Sequence, residues 1–120
     1  MTWTLALFLF AQLNAFCPVS LTQQGLASWY SKEDPGVGLY TASGETFDDT
    51  QLTCASWYFP LGTYVKVTNT QNGKFIICRV NDRGPRQDLN RAIDLTKFGF
   101  EQIADPQNGL IPVTIARLGS

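Results

Sequence analysis

The chain of 120 residues contains no histidine, few charged residues and only three cysteines. Without histidine, and with cysteines whose spacing matches no metal motif, a zinc site is not expected. Charged residues make up 16% of the chain and neither sign forms a long run, so nothing predicts a nucleic-acid surface. The sequence also has no internal repeat, and its length leaves room for one domain of about 100 residues.

An apolar stretch at residues 3–11 is too short to span a bilayer as a helix. It is typical of a secretory signal, although no lysine or arginine precedes it. We therefore expect a signal peptide at 1–15, an N-terminal extension at 16–24 and a folded domain at 25–120. The protein is then exported to the periplasm or cell envelope. The alternative is that the first residues form a buried strand or helix.

The three cysteines have different expected fates in an exported protein. A lipid anchor on Cys17 is disfavoured, because Phe16 is bulky where a lipoprotein signal has a small residue. Cys54 and Cys78 could form a disulfide, which for a loop of this size would stabilise the fold by roughly 3 kcal/mol. The alternative is that both are small buried apolar residues.

The rest of the sequence consists of short apolar or alternating runs separated by Gly, Pro, Asn and Asp, which is typical of an all-β domain. Residues 64–69 (YVKVTN) alternate with the period of two that a half-buried strand shows. Asn72 and Gly73 supply a turn that needs positive φ, and residues 75–80 (FIICRV) follow as an apolar run. Together they predict a β-hairpin whose second strand is central in the sheet.

Two further strands and one helix are predicted outside the hairpin. Residues 26–30 (LASWY) are the candidate first strand and residues 111–118 (IPVTIARL) the last. The helix is predicted at 96–104, with Thr96 as its N-cap and Gly99 as a weak point.

Residues 79–85 (RVNDRGP) place an acid between two arginines where a buried strand runs into a turn. A carboxylate at a strand end is held rigidly, and Gly84 and Pro85 fix the turn, so Asp82 is a candidate catalytic group. The alternative is that Asp82 caps local backbone N–H groups or pairs with one of the arginines.

Residues 41–45 (TASGE) form the second candidate, because small residues let a ligand approach closely and leave Glu45 exposed. The alternative is an ordinary solvated glutamate. Aromatic rings that could stack on sugars are close to these loops in sequence, with core packing as their alternative role. They are Trp29, Tyr30, Trp57 and Tyr58.

From residue 25 to its end, the sequence resembles the rare lipoprotein A (RlpA) family of bacterial envelope proteins. The matching segments are 25–30 (GLASWY), 41–45, 52–53 (LT), 60–63 (PLGT), Val65 with 67–69 (VTN), 79–85 and 93–95 (IDL). The resemblance implies a six-stranded double-psi β-barrel, here with one short helix, and lytic transglycosylase activity on peptidoglycan.

By the same resemblance, Glu45 and Asp82 fall on positions regarded as catalytic in the family. The family's histidine is replaced by Ser56, which can hydrogen-bond but cannot titrate near neutral pH. Residues of these motifs and the aromatic pairs are expected to contact the sugar: Ser56, Trp29, Tyr30, Trp57, Arg79, Asn81 and Arg83.

The implied reaction breaks the bond between N-acetylmuramic acid and N-acetylglucosamine. A protonated acid donates to the glycosidic oxygen while the sugar's own 6-hydroxyl attacks, so a 1,6-anhydro end forms without a nucleophile from the enzyme. The acid is assigned to Asp82, which desolvation must keep protonated against Arg79 and Arg83 if those side chains point toward it. Glu45 would bind sugar hydroxyls, support the developing charge or keep Asp82 protonated by like-charge proximity.

The alternative function is a non-catalytic glycan-binding or expansin-like module, which the missing histidine favours. A hydrolase that leaves reducing ends is a third option. The expected partner is the glycan strand of peptidoglycan, bound by a monomer without cofactor or nucleic acid, and any divisome partner is unknown.

Overall fold

The computed structural model describes residues 22–34, 37–85 and 91–119. The predicted signal peptide at 1–15, Cys17 and most of the predicted extension at 16–24 lie outside the described residues. None of the helices in the described part of the chain has the length and hydrophobicity needed to cross a lipid bilayer.

Six strands close into a barrel in the order β1-β5-β2-β4-β3-β6. Their bounds are β1 Thr22–Tyr30, β2 Thr53–Ala55, β3 Tyr64–Asn69, β4 Phe75–Asp82, β5 Arg91–Thr96 and β6 Ile111–Arg117. β1 pairs in parallel with β5, and β2 in parallel with β4, while the other neighbours are antiparallel. The predicted six-stranded all-β barrel is confirmed.

The core fills the barrel because alternate residues of each strand point inward. β3 turns Val65 and Val67 inward and leaves Tyr64 exposed, as its period of two predicted. The fully buried side chains from the other strands include Val80, Ile93, Leu95, Ile111 and Ile115. Burial of each such branched side chain contributes about 1.5–3 kcal/mol, so the closed sheet is held chiefly by this core.

The predicted hairpin is confirmed, and β4 runs two residues further than predicted, to Asp82. Gly73 adopts a φ of 77°, the positive value expected for the turn. β1 begins at Thr22 rather than at residue 26, because its first residues pair with β6.

The helix α1 spans Lys97–Glu101 and is shorter than the predicted 96–104. Its N-cap is Thr96 as predicted, since the Thr96 hydroxyl accepts the Gly99 N–H at 3.1 Å. The helix ends early because the next N–H groups bond three residues back, as Gln102 N–H does to Gly99 O. A short 3₁₀ turn, Pro106–Asn108, then leads into β6.

Cys54 on β2 and Cys78 on β4 are buried free thiols whose sulfur atoms lie 2.8 Å apart. Burial raises the pKa of the Cys54 thiol. The two cysteines therefore meet inside the core, and their disulfide stays a prediction.

Candidate active site

A row of paired residues crosses four neighbouring strands. Ser28 on β1 is paired with Asp94 on β5, and Asp94 is paired with Ala55 on β2. Ala55 is paired in turn with Asp82 on β4. Because paired residues point to the same face of a sheet, two carboxyl groups flank the small side chain of Ala55.

Asp82 reaches this face because β4 carries an extra residue. Cys54 pairs with Val80 while the next residue, Ala55, pairs with Asp82, so Asn81 forms a β-bulge. Alternate residues of β4 up to Val80 point to the core, and a regular strand would turn Asp82 inward as well. The bulge shifts the alternation by one residue and directs Asp82 to the outside of the barrel wall.

An open cleft of about 330 Å³ lies over the row, and both carboxyl groups line it. Its lining residues are Tyr30, Val37, Gly38, Tyr40, Phe47, Ala55, Asp82, Arg83 and Asp94. Tyr30 stacks on Phe47 with ring centroids 4.7 Å apart. The cleft thus combines acidic groups with aromatic walls, a composition suited to a sugar.

The backbone holds the carboxylate of Asp82 in place. Its Oδ1 accepts the N–H of Ala42 at 2.9 Å and the N–H of Arg83 at 2.8 Å. Among the described residues, no group bonds to Oδ2, which leaves that atom available to a ligand. Asp82 therefore has one oxygen fixed by the protein and one free for chemistry.

The two arginines that flank Asp82 in sequence are engaged elsewhere. Arg79 forms an ion pair with Glu45. Arg83 donates through Nη1 to the carbonyl oxygens of Ser56 at 2.8 Å and Phe59 at 2.6 Å. Within the described segments neither guanidinium forms an ion pair with Asp82.

Glu45 lies beside the cleft rather than in its lining. Its loop is docked on the end of β4, because Ser43 N–H donates to Asn81 O at 3.1 Å. Hydrogen bonds from Arg79 and then from Ser43 lower the pKa of Glu45 to about 2. Glu45 is therefore ionised at working pH and cannot act as a proton donor. The same loop also contacts Asp82, because the Ala42 N–H donates to Asp82 Oδ1.

Ser56 is completely buried. Its hydroxyl accepts the Tyr58 N–H at 3.0 Å, and its N–H donates to Asp82 O at 3.0 Å. The next residue, Trp57, is 52% exposed, and its Nε1 donates to Pro85 O at 3.0 Å. Ser56 is thus a buried residue that is hydrogen-bonded to the backbone of Asp82. Trp57 lies at the surface and is hydrogen-bonded to the turn that follows Asp82.

Trp29 lines a second cleft of about 570 Å³. Its Nε1 donates to Pro106 O at 2.9 Å, and Lys97 Nζ lies 5.6 Å from its ring centroid. Ser28 of the row also lines this second cleft, and its hydroxyl donates a hydrogen bond to Asp94 of the first cleft. Asn81, the bulged residue, is buried. Its backbone oxygen accepts the Ser43 N–H, and its side chain contributes to the lowered pKa of Glu45.

The residue that the sequence did not single out is Asp94. The sequence signal that could have identified Asp94 is its position between Ile93 and Leu95, where an ionisable residue interrupts an apolar run. Asp94 is half-buried, and burial raises its pKa above the usual value even though Ser28 donates a hydrogen bond to it. Burial also raises the pKa of Tyr30, so its phenol stays protonated in the cleft.

Within the described ranges, no group of three or more Cys, Asp or Glu side chains is arranged to hold a metal ion.

Comparison with protein families gives a match to the family described as "Lytic transglycolase" over residues 22–115. The chain is 41% identical over 101 residues to a probable endolytic peptidoglycan transglycosylase RlpA from Nostoc sp., covering 84% of this chain and 27% of that protein. It is 41% identical over 106 residues to the endolytic peptidoglycan transglycosylase RlpA of Escherichia coli, covering 86% and 28%. The chain thus spans about a quarter of the length of these relatives.

Two solved structures share the architecture. A Streptomyces papain inhibitor superposes with a TM-score of 0.66 at 24% identity, over 85% of this chain and 98% of that one. An expansin from Clavibacter michiganensis superposes with a TM-score of 0.65 at 20% identity, over 82% and 51%. Together with the family match, these likenesses confirm the predicted double-psi β-barrel fold.

Proposed function

Because the chain belongs to the RlpA-like lytic transglycosylase family of double-psi β-barrels, we propose that it cleaves peptidoglycan glycan strands and leaves 1,6-anhydro ends. The observation that carries this proposal is the cleft in which Asp82 is fixed through one oxygen and open through the other. A protonatable group held rigidly in a sugar-sized cleft is what glycosidic bond cleavage requires.

The reaction moves two protons. One goes to the glycosidic oxygen as its bond to C1 of N-acetylmuramic acid breaks, and one leaves the 6-hydroxyl as that oxygen bonds to C1. Asp82 is a carboxyl that we propose to take part in these transfers, because it lines the cleft and one of its oxygens has no partner among the described residues. Neither water nor an enzyme nucleophile is consumed, so one or two well-placed acids suffice.

Glu45 supports this chemistry as an ionised group. Its ion pair with Arg79 holds the 41–45 loop, whose Ala42 N–H orients Asp82. We propose that Glu45 acts mainly by fixing this loop and by adding negative charge beside the developing positive charge of the sugar ring.

Sugar contacts are proposed from residues on both sides of the row. Tyr30 and Arg83 line the cleft directly, and Trp57 offers an exposed ring beside them. Trp29 lines the second cleft and would contact a neighbouring sugar of the same strand. Ser56, being buried, would act by holding the turn, together with Asn81, rather than by touching the sugar.

A non-catalytic glycan-binding module is the second candidate. The observation that favours it is Ser56 in place of the histidine of the resembling family, because a buried serine supplies no group that titrates near neutral pH. Under either function the partner is peptidoglycan, and we propose export to the cell envelope as a monomer.

The products formed from purified sacculi separate these functions. The protein is incubated with sacculi, and the released fragments are identified by mass spectrometry. Muropeptides with 1,6-anhydro ends support the transglycosylase, and reducing ends would instead indicate a hydrolase. Binding to sacculi without release of any fragment would leave only the binding module.

A further inference from the structure

Asp94 and Asp82 lie in register on opposite sides of one residue. Both are paired with Ala55, so their Cα atoms are about two strand spacings, or about 10 Å, apart on the same face. A methyl side chain between them leaves open space above the row, and both carboxyl groups line that space. A sugar bridging the row would therefore meet one carboxyl on each side.

Gly84 brings the turn after Asp82 against Asp94. A Cβ added at Gly84 would lie 3.6 Å from Asp94 Oδ2 and 3.6 Å from the Ala55 Cβ. Gly84 has a φ of 151°, which side-chain-bearing residues rarely adopt. Because Gly84 has no side chain, no Cβ at this position covers Asp94 Oδ2.

The two carboxyls have different surroundings. Asp82 accepts two backbone N–H groups, whereas the one hydrogen bond to Asp94 among the described residues comes from the Ser28 hydroxyl. Burial is the largest influence on Asp94 and raises its pKa, and Ser28 opposes that rise. The ionisable groups that also act on Asp94 or share its cleft are Arg91, Asp82, Asp34, Tyr30, Tyr40 and Arg83. Arg91 lowers the pKa of Asp94, while Asp82 and Asp34 raise it.

We propose that Asp94 is the catalytic acid that donates the proton to the glycosidic oxygen, and that Asp82 accepts the proton of the attacking 6-hydroxyl. In this step the C1–oxygen bond to the leaving sugar breaks and the Asp94 proton goes to that oxygen. The C1–O6 bond forms and the hydroxyl proton goes to Asp82. Exchange with solvent then returns the proton from Asp82 to Asp94, so the step balances without a co-reactant.

This assignment rests on the proposed function and is tested on sacculi with three variants. Asp94→Asn keeps an oxygen that Ser28 can bond to but cannot donate an acidic proton, and it is expected to lower the rate of anhydro-end formation by about 100-fold or more. Binding to sacculi should be retained. Asp48→Asn is the matched control, because Asp48 does not line the cleft, and it should leave the rate unchanged.

Ser28→Ala supplies a readout that a structural role would not move. The acid must be protonated, so activity falls as pH rises through the pKa of Asp94. Removing the Ser28 hydroxyl raises that pKa further, and the falling limb of the pH profile should shift to higher pH. A titration of the Asp94 carboxyl carbon by NMR should show the same upward shift without reference to activity.

The outcomes separate the two claims. If wild type forms no anhydro ends, the proposed function and this assignment fall together. If wild type forms them and Asp94→Asn forms them at a similar rate, this assignment alone is wrong. The assignment would also be overturned if, in Ser28→Ala, the NMR titration of Asp94 shifts but the falling limb of the pH–activity profile does not.

Discussion

Glu45 and Arg79 form a two-pronged ion pair in which each carboxylate oxygen accepts one guanidinium hydrogen bond of 2.7 Å. The pair ties the 41–45 loop to β4, and the same loop presents the Ala42 N–H to Asp82. Glu45 is therefore linked to Asp82 through the position of this loop, and it holds the loop from an exposed site.

Exchanging the two charges tests this role. Glu45→Arg and Arg79→Glu each place like charges together, and each should lower anhydro-end release by roughly 10- to 100-fold, because a misplacement of about 1 Å is that costly. The double variant restores the ion pair in reverse and should recover much of the loss. A double variant as inactive as the single ones would mean that Glu45 acts on the sugar directly.

The same ion pair makes stability depend on pH. Folding lowers the pKa of Glu45 from 4.5 to about 2, so the ionised form stabilises the fold above pH 4.5, and this contribution is lost as pH falls toward 2. Glu45→Gln should therefore lower the unfolding temperature slightly at neutral pH and leave it unchanged only below about pH 2, where Glu45 is protonated in the folded state as well. Thermal unfolding across this range checks it, with Glu101→Gln as an exposed control that forms no ion pair among the described residues. A difference that is constant with pH would contradict the prediction.

We predict that Cys54 and Cys78 form a disulfide when the protein is exported to an oxidising compartment. The bond needs only loss of two protons and two electrons to a thiol oxidant, since the two sulfur atoms already meet in the core. Non-reduced protein should show no reactive thiol from this pair after unfolding, and reduction should cost about 3 kcal/mol of unfolding free energy. Two titratable thiols in protein purified from the envelope would show instead that the pair serves only as core packing.

Trp57 is predicted to bind sugar through its exposed ring. Trp57→Ala should weaken binding to sacculi by roughly tenfold, equivalent to about 1.4 kcal/mol, and leave the unfolding temperature nearly unchanged. Phe75→Ala is the matched control, because Trp57 and Phe75 are both 52% exposed and Phe75 is at the far end of β4 from Asp82. Equal binding losses in the two variants would remove Trp57 from the proposed contact surface.

The parts of the fold that follow from local pattern could be predicted from the sequence. The β3–β4 hairpin has an alternating strand, a turn that needs positive φ and an apolar run, and each is set by neighbours in sequence. The Thr96 cap was predictable for the same reason. β2 was missed because three residues are too few to show a period.

The site could be predicted only in its parts. Asp82 and Glu45 were proposed as site residues from their motifs, and that assignment stays a prediction. The face that Asp82 occupies depends on a bulge at Asn81, which no local pattern of β4 reveals. The pairing of Asp94 with Ala55 joins distant segments through barrel closure. Register between such strands is set by the whole sheet, so the second carboxyl of the cleft emerged only from the structure.

The central claim is that Asp82 in its cleft catalyses cleavage to 1,6-anhydro ends. It is tested most directly by digesting the same sacculi with wild type and with Asp82→Asn, and by quantifying anhydro-muropeptides by mass spectrometry. We predict clear release by wild type and a rate at least about 100-fold lower for the variant, with binding retained. Release by Asp82→Asn at the wild-type rate would contradict the claim.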